Sequence, residues 1–262
     1  MESETNTMRV RHLYHIIKYR AFAELRAEAS RTYAGYLWWI FQPLLTFGVY
    51  YIAFKYVLNH DAHNFAIFLF TGIVIFQWFS SSVMRCSGTL IAARPLMQRV
   101  NLHKSVFPLS IILVNTVKFS FSFVILMIVY QLLGIFPGWA WLTLPILLVV
   151  ELLVITAAGC FSAMISPFVP DFQNILATLI LLLFHISGIL YDISILPKHL
   201  RIALEFNPMT IVVREIRSVL MNNQFPNWEM LMIPVVESSV LLIISMALLH
   251  RYDKVYPKMG LG

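Results

Sequence analysis

The chain is poor in charge. Only 12% of its 262 residues are Asp, Glu, Lys or Arg and 59% are hydrophobic; soluble domains carry about 25% charged residues, so a water-soluble globular fold is excluded. Cysteine is scarce as well. Cys86 and Cys160 fall within or at the ends of apolar runs, without metal spacing or an extracellular cluster, and both read as packing residues. No Gly-x-x-x-x-Gly-Lys-Ser/Thr loop is present, which excludes ATP hydrolysis by that machinery. His-Glu-x-x-His, Gly-x-Ser-x-Gly and paired intramembrane carboxylates are missing, and with them the usual signs of a protease or hydrolase. Relays of Asp, Glu and His inside apolar segments are absent too, so any uphill transport would draw its energy from a partner. There is no low-complexity tract and no internal repeat. The first thirty residues hold no apolar core followed by a small-residue cleavage site, so the amino terminus is expected to stay in the cytosol.

What the chain has is apolar length. A membrane span takes about 20 mostly apolar residues, and six stretches qualify: 36–57, 65–84, 108–131, 143–166, 172–191 and 231–250. The expected fold class is all-α integral membrane, with a six-span domain over 36–250, an arm at 1–35 and a tail at 251–262. Lys and Arg set the orientation. Thirteen lie on the side of the termini: Arg9, Arg11, Lys18, Arg20, Arg26 and Arg31 before the first span, Arg85, Arg94, Arg99 and Lys104 after the second, Arg251, Lys254 and Lys258 after the last. Five lie opposite: Lys55, Lys198, Arg201, Arg214 and Arg217. The positive-inside rule then places both termini in the cytosol.

The arm carries Leu13, Ile16, Ile17, Phe22 and Leu25 near helical spacing, the pattern of an amphipathic helix lying in the membrane interface. Two connections are long. The cytosolic one mixes apolar and basic positions over about 88–105 and is expected to form a short helix offered to a cytosolic partner. Met97, Val100 and Leu102 would dock by their apolar side in a groove of that partner, oriented by Arg94, Arg99 and Lys104. The external one is punctuated by Pro197, Asn207-Pro208 and Pro226, leaving two short helices over 196–205 and 209–222, too short and too charged to span.

Ionisable residues within spans are few. Lys118 either snorkels to the cytosolic face or lines the cytosolic mouth of a conduit for an anionic head group. Glu151 and Glu237 read either as wetted helix ends or as conduit or interhelical groups. His185 reads as a satisfied interhelical hydrogen bond. His12 and His15, without carboxylate or thiol partners, make no metal site. Aromatic residues are dense in the first two spans. Trp38, Trp39, Tyr56 and Trp78 suit interfacial belts. Tyr and Trp also offer an apolar face with a donor, as sugar rings require, which makes Tyr36, Trp38, Tyr50, Tyr51, Phe76 and Trp78 candidates to line a glycan conduit.

An ordered set of motifs carries a resemblance. Arg31-Thr-Tyr-Ala-Gly35-Tyr-Leu-Trp38 with Gln42-Pro43, then Pro95 to Pro108, then Pro170-Asp171-Phe172, then Tyr191 to Pro197 with Asn207-Pro208 and Arg214, resembles the permease subunits of ABC-2-type exporters for cell-surface polysaccharides. Ala34 stands where the family usually has Leu, and Pro170 where it usually has Arg, which removes a positive charge at that turn. The resemblance implies a homodimer in the bacterial inner membrane, bound to two copies of a separate ATP-binding subunit that holds ATP and Mg. The permease itself would carry no catalytic residue, cofactor or metal. Its substrate would be a polyprenyl-diphosphate-linked polysaccharide such as O-antigen, capsule or teichoic acid; its other contacts would be membrane lipids, and no nucleic acid. On this reading Arg20, Arg26, Arg31 and Arg85 contact the diphosphate head group, because the guanidinium fork suits phosphate. The external helices, over about 194–224, act as a gate through Asn207, Arg214 and Arg217. Two alternatives stay open: an ABC-2 permease for a non-glycan lipid or drug, and a stand-alone membrane channel or glycan-modifying protein.

Overall fold

The computed structural model describes residues 2–30, 35–53, 65–100, 102–253 and 255–256. Among them the regular structure is helical, with no strand. The helices are α1 (Glu2–Ser30), α2 (Trp38–Ile52), α3 (Phe65–Ala92), α4 (Arg94–Arg99), α5 (Val106–Leu132), α6 (Leu144–Ile165), α7 (Phe172–Ile186), α8 (Lys198–Glu205), α9 (Pro208–Asn222) and α10 (Trp228–Arg251). Four segments are long and apolar enough to cross a membrane: α3, α5, α6 with its leading 3₁₀ turn, and α10.

The other two expected spans are shorter. α7 has 15 residues, about 22 Å at 1.5 Å per residue, against a hydrocarbon core of about 30 Å. It ends before 191 because Ser187 closes the helix and Gly188 takes a φ of +67°, a left-handed turn that glycine enters without a Cβ clash. α2 also has 15 residues, and residues 54–57 of the expected first span lie outside the described ones.

α3 is the hub. It packs against α2, α5, α6, α7 and α9 and is apolar on nearly every face, as a buried helix must be. Cys86 of α3 and Cys160 of α6 are free, buried thiols. A Cβ on Gly159 would lie 3.1 Å from the Cys86 sulfur, so this glycine sets the close approach of the two helices. α1 lies along α5, burying Ala21 and Leu25 against Trp39 and Val114. Phe22, expected on the same face, is exposed with Tyr14 and Tyr19, because the docking stripe runs through 21, 25 and 28.

The expected cytosolic helix at 88–105 is divided. Nothing breaks the helix before Ala92, so 88–92 extend α3. Pro95 then starts a new helix in its first turn, where its missing N–H costs nothing, and α4 lasts only six residues.

α9 is more deeply buried than its charges suggested, wedged against α3, α6 and α10. Arg217 is matched there. Its Nε donates to the Phe68 carbonyl at 3.0 Å, Nη1 to Gly188 at 2.7 Å and Nη2 to Ile189 at 2.9 Å, and its guanidinium lies 3.4 Å from the Phe68 ring centre. These carbonyls follow the end of α7 or sit in the first turn of α3, so one side chain ties three elements. Asn207 caps α9 by accepting from the Met209 N–H at 3.0 Å and donates to the Ser187 hydroxyl at 2.8 Å. Glu215 accepts from Arg214 Nε at 3.0 Å and from the Asn227 N–H at 2.8 Å.

Replacing Arg217 with Leu leaves the Gly188 and Ile189 carbonyls without their donor and is expected to cost about 1–3 kcal/mol for each, read as a lower unfolding temperature of the purified protein. Gly72→Ala should act on the same clamp, since its Cβ would stand 2.2 Å from Arg217 Nη2. Gly48→Ala, which meets nothing within 4 Å, should not destabilise.

Candidate functional site

Two cations stand inside apolar helices, Arg85 on α3 and Lys118 on α5, and in such surroundings each needs a partner. The partners come from α1. Glu24 and Glu28 are one turn apart, so both point the same way. Arg85 Nη2 lies 3.4 Å from Glu24 Oε1, and its Nη1 lies 3.0 Å from Glu28 Oε2 and 3.4 Å from Asn115 Oδ1. Lys118 Nζ bonds the other Glu28 oxygen and stands 5.4 Å from the Trp39 ring centre. Burial pushes the Glu28 carboxyl up, but the Lys118 hydrogen bond and the charges of Arg85 and Lys118 outweigh it and hold the group below the ordinary carboxylate value.

These side chains line a cleft of about 380 Å³ between α1, α2, α3 and α5, completed by Trp38, Gln42, Gln77, Ser81 and Ser122. Three polar atoms of its lining have no partner among the described residues: Gln77 Oε1, Trp78 Nε1 and Asn115 Nδ2. An unpaired buried polar atom costs about 1–3 kcal/mol, so the cleft is shaped for a guest that supplies hydrogen-bonding groups. A second cleft of about 450 Å³ opens between α2, α3 and α7, lined by Tyr50, Phe76 and Phe184, and shares Gln42, Gln77 and Ser81 with the first. Ring centres lie 5.3 Å apart for Tyr50–Phe184 and 5.2 Å for Phe76–Phe184. The two hollows thus form a polar chamber beside an aromatic one.

The expected residues divide between these and other places. Trp38 and Trp78 border the polar chamber, Tyr50 and Phe76 the aromatic one. Tyr51 instead packs its ring on Phe47 at 5.4 Å, and the side chain of Tyr36 lies outside the described ones. Of the four head-group arginines, Arg85 is in the cleft. Arg20 is half-buried with its guanidinium 4.5 Å from the Phe107 ring centre; Arg26 is exposed; Arg31 lies outside the described residues. Glu24 and Glu28 escaped the sequence reading because the arm was read for its positive charge. Their signal was present: two acids four residues apart, in a chain with two cations stranded in apolar helices.

Other readings are corrected. Glu151 is no wetted helix end but fully buried, its oxygens unpaired among the described residues, whereas Glu237 lies exposed on the flank of α10. His185 bonds the Leu181 carbonyl of its own helix at 2.8 Å rather than another helix. Among the described residues no group of side chains could hold a metal, and the His12 side chain lies outside them. In the segment expected to be cytosolic, Met97 is buried in the core and Lys104 is 2% exposed, paired with Asp253 at 3.4 Å. Neither can face a partner. The outward apolar surface is Ile91, Leu96 and Val100, flanked by exposed Arg99, while Arg94 and Leu102 are half-buried. Arg214 and Asn207 serve the contacts around α9 already described.

The sequence profile of the ABC-2 type transporter family matches residues 21–221. Among curated proteins, the chain is 24% identical over 241 residues to the O-antigen export system permease protein RfbA of Klebsiella pneumoniae, covering 92% of this chain and 93% of that one. It is 27% identical over 221 residues to the RfbA of Myxococcus xanthus, covering 84% and 85%. It is 25% identical over 205 residues to the polysialic acid transport protein KpsM of Escherichia coli, covering 76% and 78%.

The ion cluster sets a pH dependence. Because the folded state lowers the Glu28 pKa, its contribution to docking α1 is fully present above the ordinary value of 4.5 and is lost as the pH falls below it. Limited proteolysis of α1 should therefore accelerate under acid conditions, and Glu28→Gln should abolish that component of the acid response.

Proposed function

We propose a mechanism for this chain from one premise: it belongs to the ABC-2 type transporter family, as the transmembrane subunit of a polysaccharide exporter. The family match over 21–221 and the full-length likeness to the O-antigen and polysialic acid proteins support that reading. We take α2 and α7 to complete six membrane crossings, with both termini and α4 in the cytosol of a multi-pass inner-membrane protein. Two copies of the chain pair and hold a separate ATP-binding subunit, which carries ATP and Mg; this chain has neither catalytic residue nor cofactor. Partner and pairing rest on the family, and the orientation on the Lys and Arg distribution.

The observation that carries the mechanism is the polar cleft. A phosphate of a lipid-linked glycan meets there an Arg and a Lys whose charges can grip it, beside the unpaired donors Trp78 Nε1 and Asn115 Nδ2. In the resting state Glu24 and Glu28 occupy those cations, so the arriving anion competes with them and loosens α1. The neighbouring aromatic chamber of Tyr50, Phe76 and Phe184 then offers apolar faces to sugar rings. The ATP-binding subunit docks on Ile91, Leu96, Val100 and Arg99, and its closure on ATP drives the cycle. At the opposite end Arg214, close to Glu205 and Glu215, lies in a hollow with Asp192 and Ser218, where the glycan leaves.

Coexpression with an ATP-binding subunit encoded beside it should yield a complex whose ATP turnover rises with lipid-linked glycan. In that complex Glu28→Gln should lower the half-stimulating substrate concentration about tenfold or more and Lys118→Met should raise it by a similar factor, as expected for charge-assisted contacts of about 1.5–3 kcal/mol. A chain that purifies alone and binds no such subunit contradicts the assignment.

A further inference from the structure

The loop that follows α4 is fastened to the far end of the chain. Lys104, almost wholly buried, sends its Nζ to the Leu102 carbonyl at 3.0 Å and forms an ion pair with Asp253, just past α10, at 3.4 Å. That pair lacks hydrogen-bond alignment, so it acts through charge. One residue earlier, the His103 ring stacks on His250 in the last turn of α10, with centres 5.7 Å apart and planes 17° from parallel. His103 Nδ1 is fixed in turn by the Ser105 hydroxyl at 2.6 Å. The tail continues inward. Tyr256 is 1% exposed and donates its hydroxyl to the Met164 carbonyl near the end of α6 at 3.4 Å, and Phe168, beyond α6, packs its ring against Tyr252 and Tyr256 at 5.7 and 5.6 Å. Burial, helped by Tyr252, pushes the Tyr256 phenol up to about 12, so it remains a neutral donor.

By contrast α4 touches the body lightly, with Met97 as its buried residue. A force applied to α4 passes back into α3 through Ala93, whose N–H bonds the Thr89 carbonyl at 3.0 Å, and forward toward the 102–105 segment, which is held by α10 through Asp253 and His250. α10 and α6 pack on each other and both pack on α9 at the other end of the molecule.

From this arrangement we infer that residues 103–104 and 250–253, together with Tyr256, form a clasp that transmits displacement of α4 to α10 and α6, and through them to α9, making Asp253 and His250 positioning residues for coupling. The inference rests on the exporter reading, in which the ATP-binding subunit pushes α4. Contiguous packing alone does not establish coupling; a two-residue energetic test does.

The readout is the ratio of surface glycan exported by cells to the phosphate released by the complex purified from them. A variant that merely lowers the amount of folded complex reduces both in proportion and leaves the ratio alone. Asp253→Asn should lower the ratio about tenfold, and the exchange K104E/D253K should recover it to within about twofold, the signature of a direct pair. His250→Ala, at an exposed position that tolerates loss of the ring, should lower the ratio about threefold with assembly intact, and serves where Asp253→Asn fails to assemble. Unchanged ratios in an active background overturn the clasp alone. A wild-type chain that binds no ATP-binding subunit overturns the exporter reading and the clasp with it.

Discussion

A charge set inside an apolar bundle must be answered within it, because neither lipid nor packed side chains can solvate it. That constraint shapes both ends of the molecule. At one end Arg217 takes three backbone carbonyls and so locks α9 to α3 and to the turn after α7. At the other, Arg85 and Lys118 draw Glu24 and Glu28 of α1 against the bundle. The first arrangement spends each guanidinium nitrogen on a backbone carbonyl and serves the fold. The second leaves a cleft in which Gln77, Trp78 and Asn115 keep unpaired polar atoms among the described residues.

The long helices were legible because hydropathy alone separates twenty apolar residues from a loop, and α3, α5, α6 and α10 stand where that pattern puts them. α7 was overestimated because apolar residues continue past Ser187 while Gly188 turns the backbone, a local conformational effect that hydropathy does not register. The segment between the second and third apolar helices holds a six-residue helix, α4, shorter than expected and with different residues facing out. Helical spacing shows which residues share a side, but not whether that side meets the body or a partner, and Met97 and Lys104 turned inward. Lys104 was hardest to foresee, since its partner Asp253 is about 150 residues away in sequence. The acids of α1 were readable in principle, as two carboxylates one helical turn apart that could answer Arg85 at the end of the second span and Lys118 within the third.

The parts fit a device worked from one end. The segment between α4 and α5 is held by α10 through Lys104–Asp253 and His103–His250, and α10 and α6 pack against the buried α9 at the far end. Between them, α1, α2, α3 and α5 enclose a cleft whose charges are balanced by α1, which is held to the bundle by Ala21, Leu25, the ion cluster and the Arg20–Phe107 contact. On the proposed mechanism, a substrate that competes for those cations also loosens the contact of Ala21 and Leu25 with Trp39 and Val114.

The central claim is that the anionic substrate displaces the α1 carboxylates. The most direct measurement is the distance between spin labels on exposed positions Ala23 of α1 and Ser120 of α5, taken in the assembled exporter with and without lipid-linked glycan. The account predicts a single short distance in the empty state and a longer, broader distribution with substrate, with the Glu28→Gln protein shifted toward the longer distances even without it. A distance that stays the same with saturating substrate would contradict it.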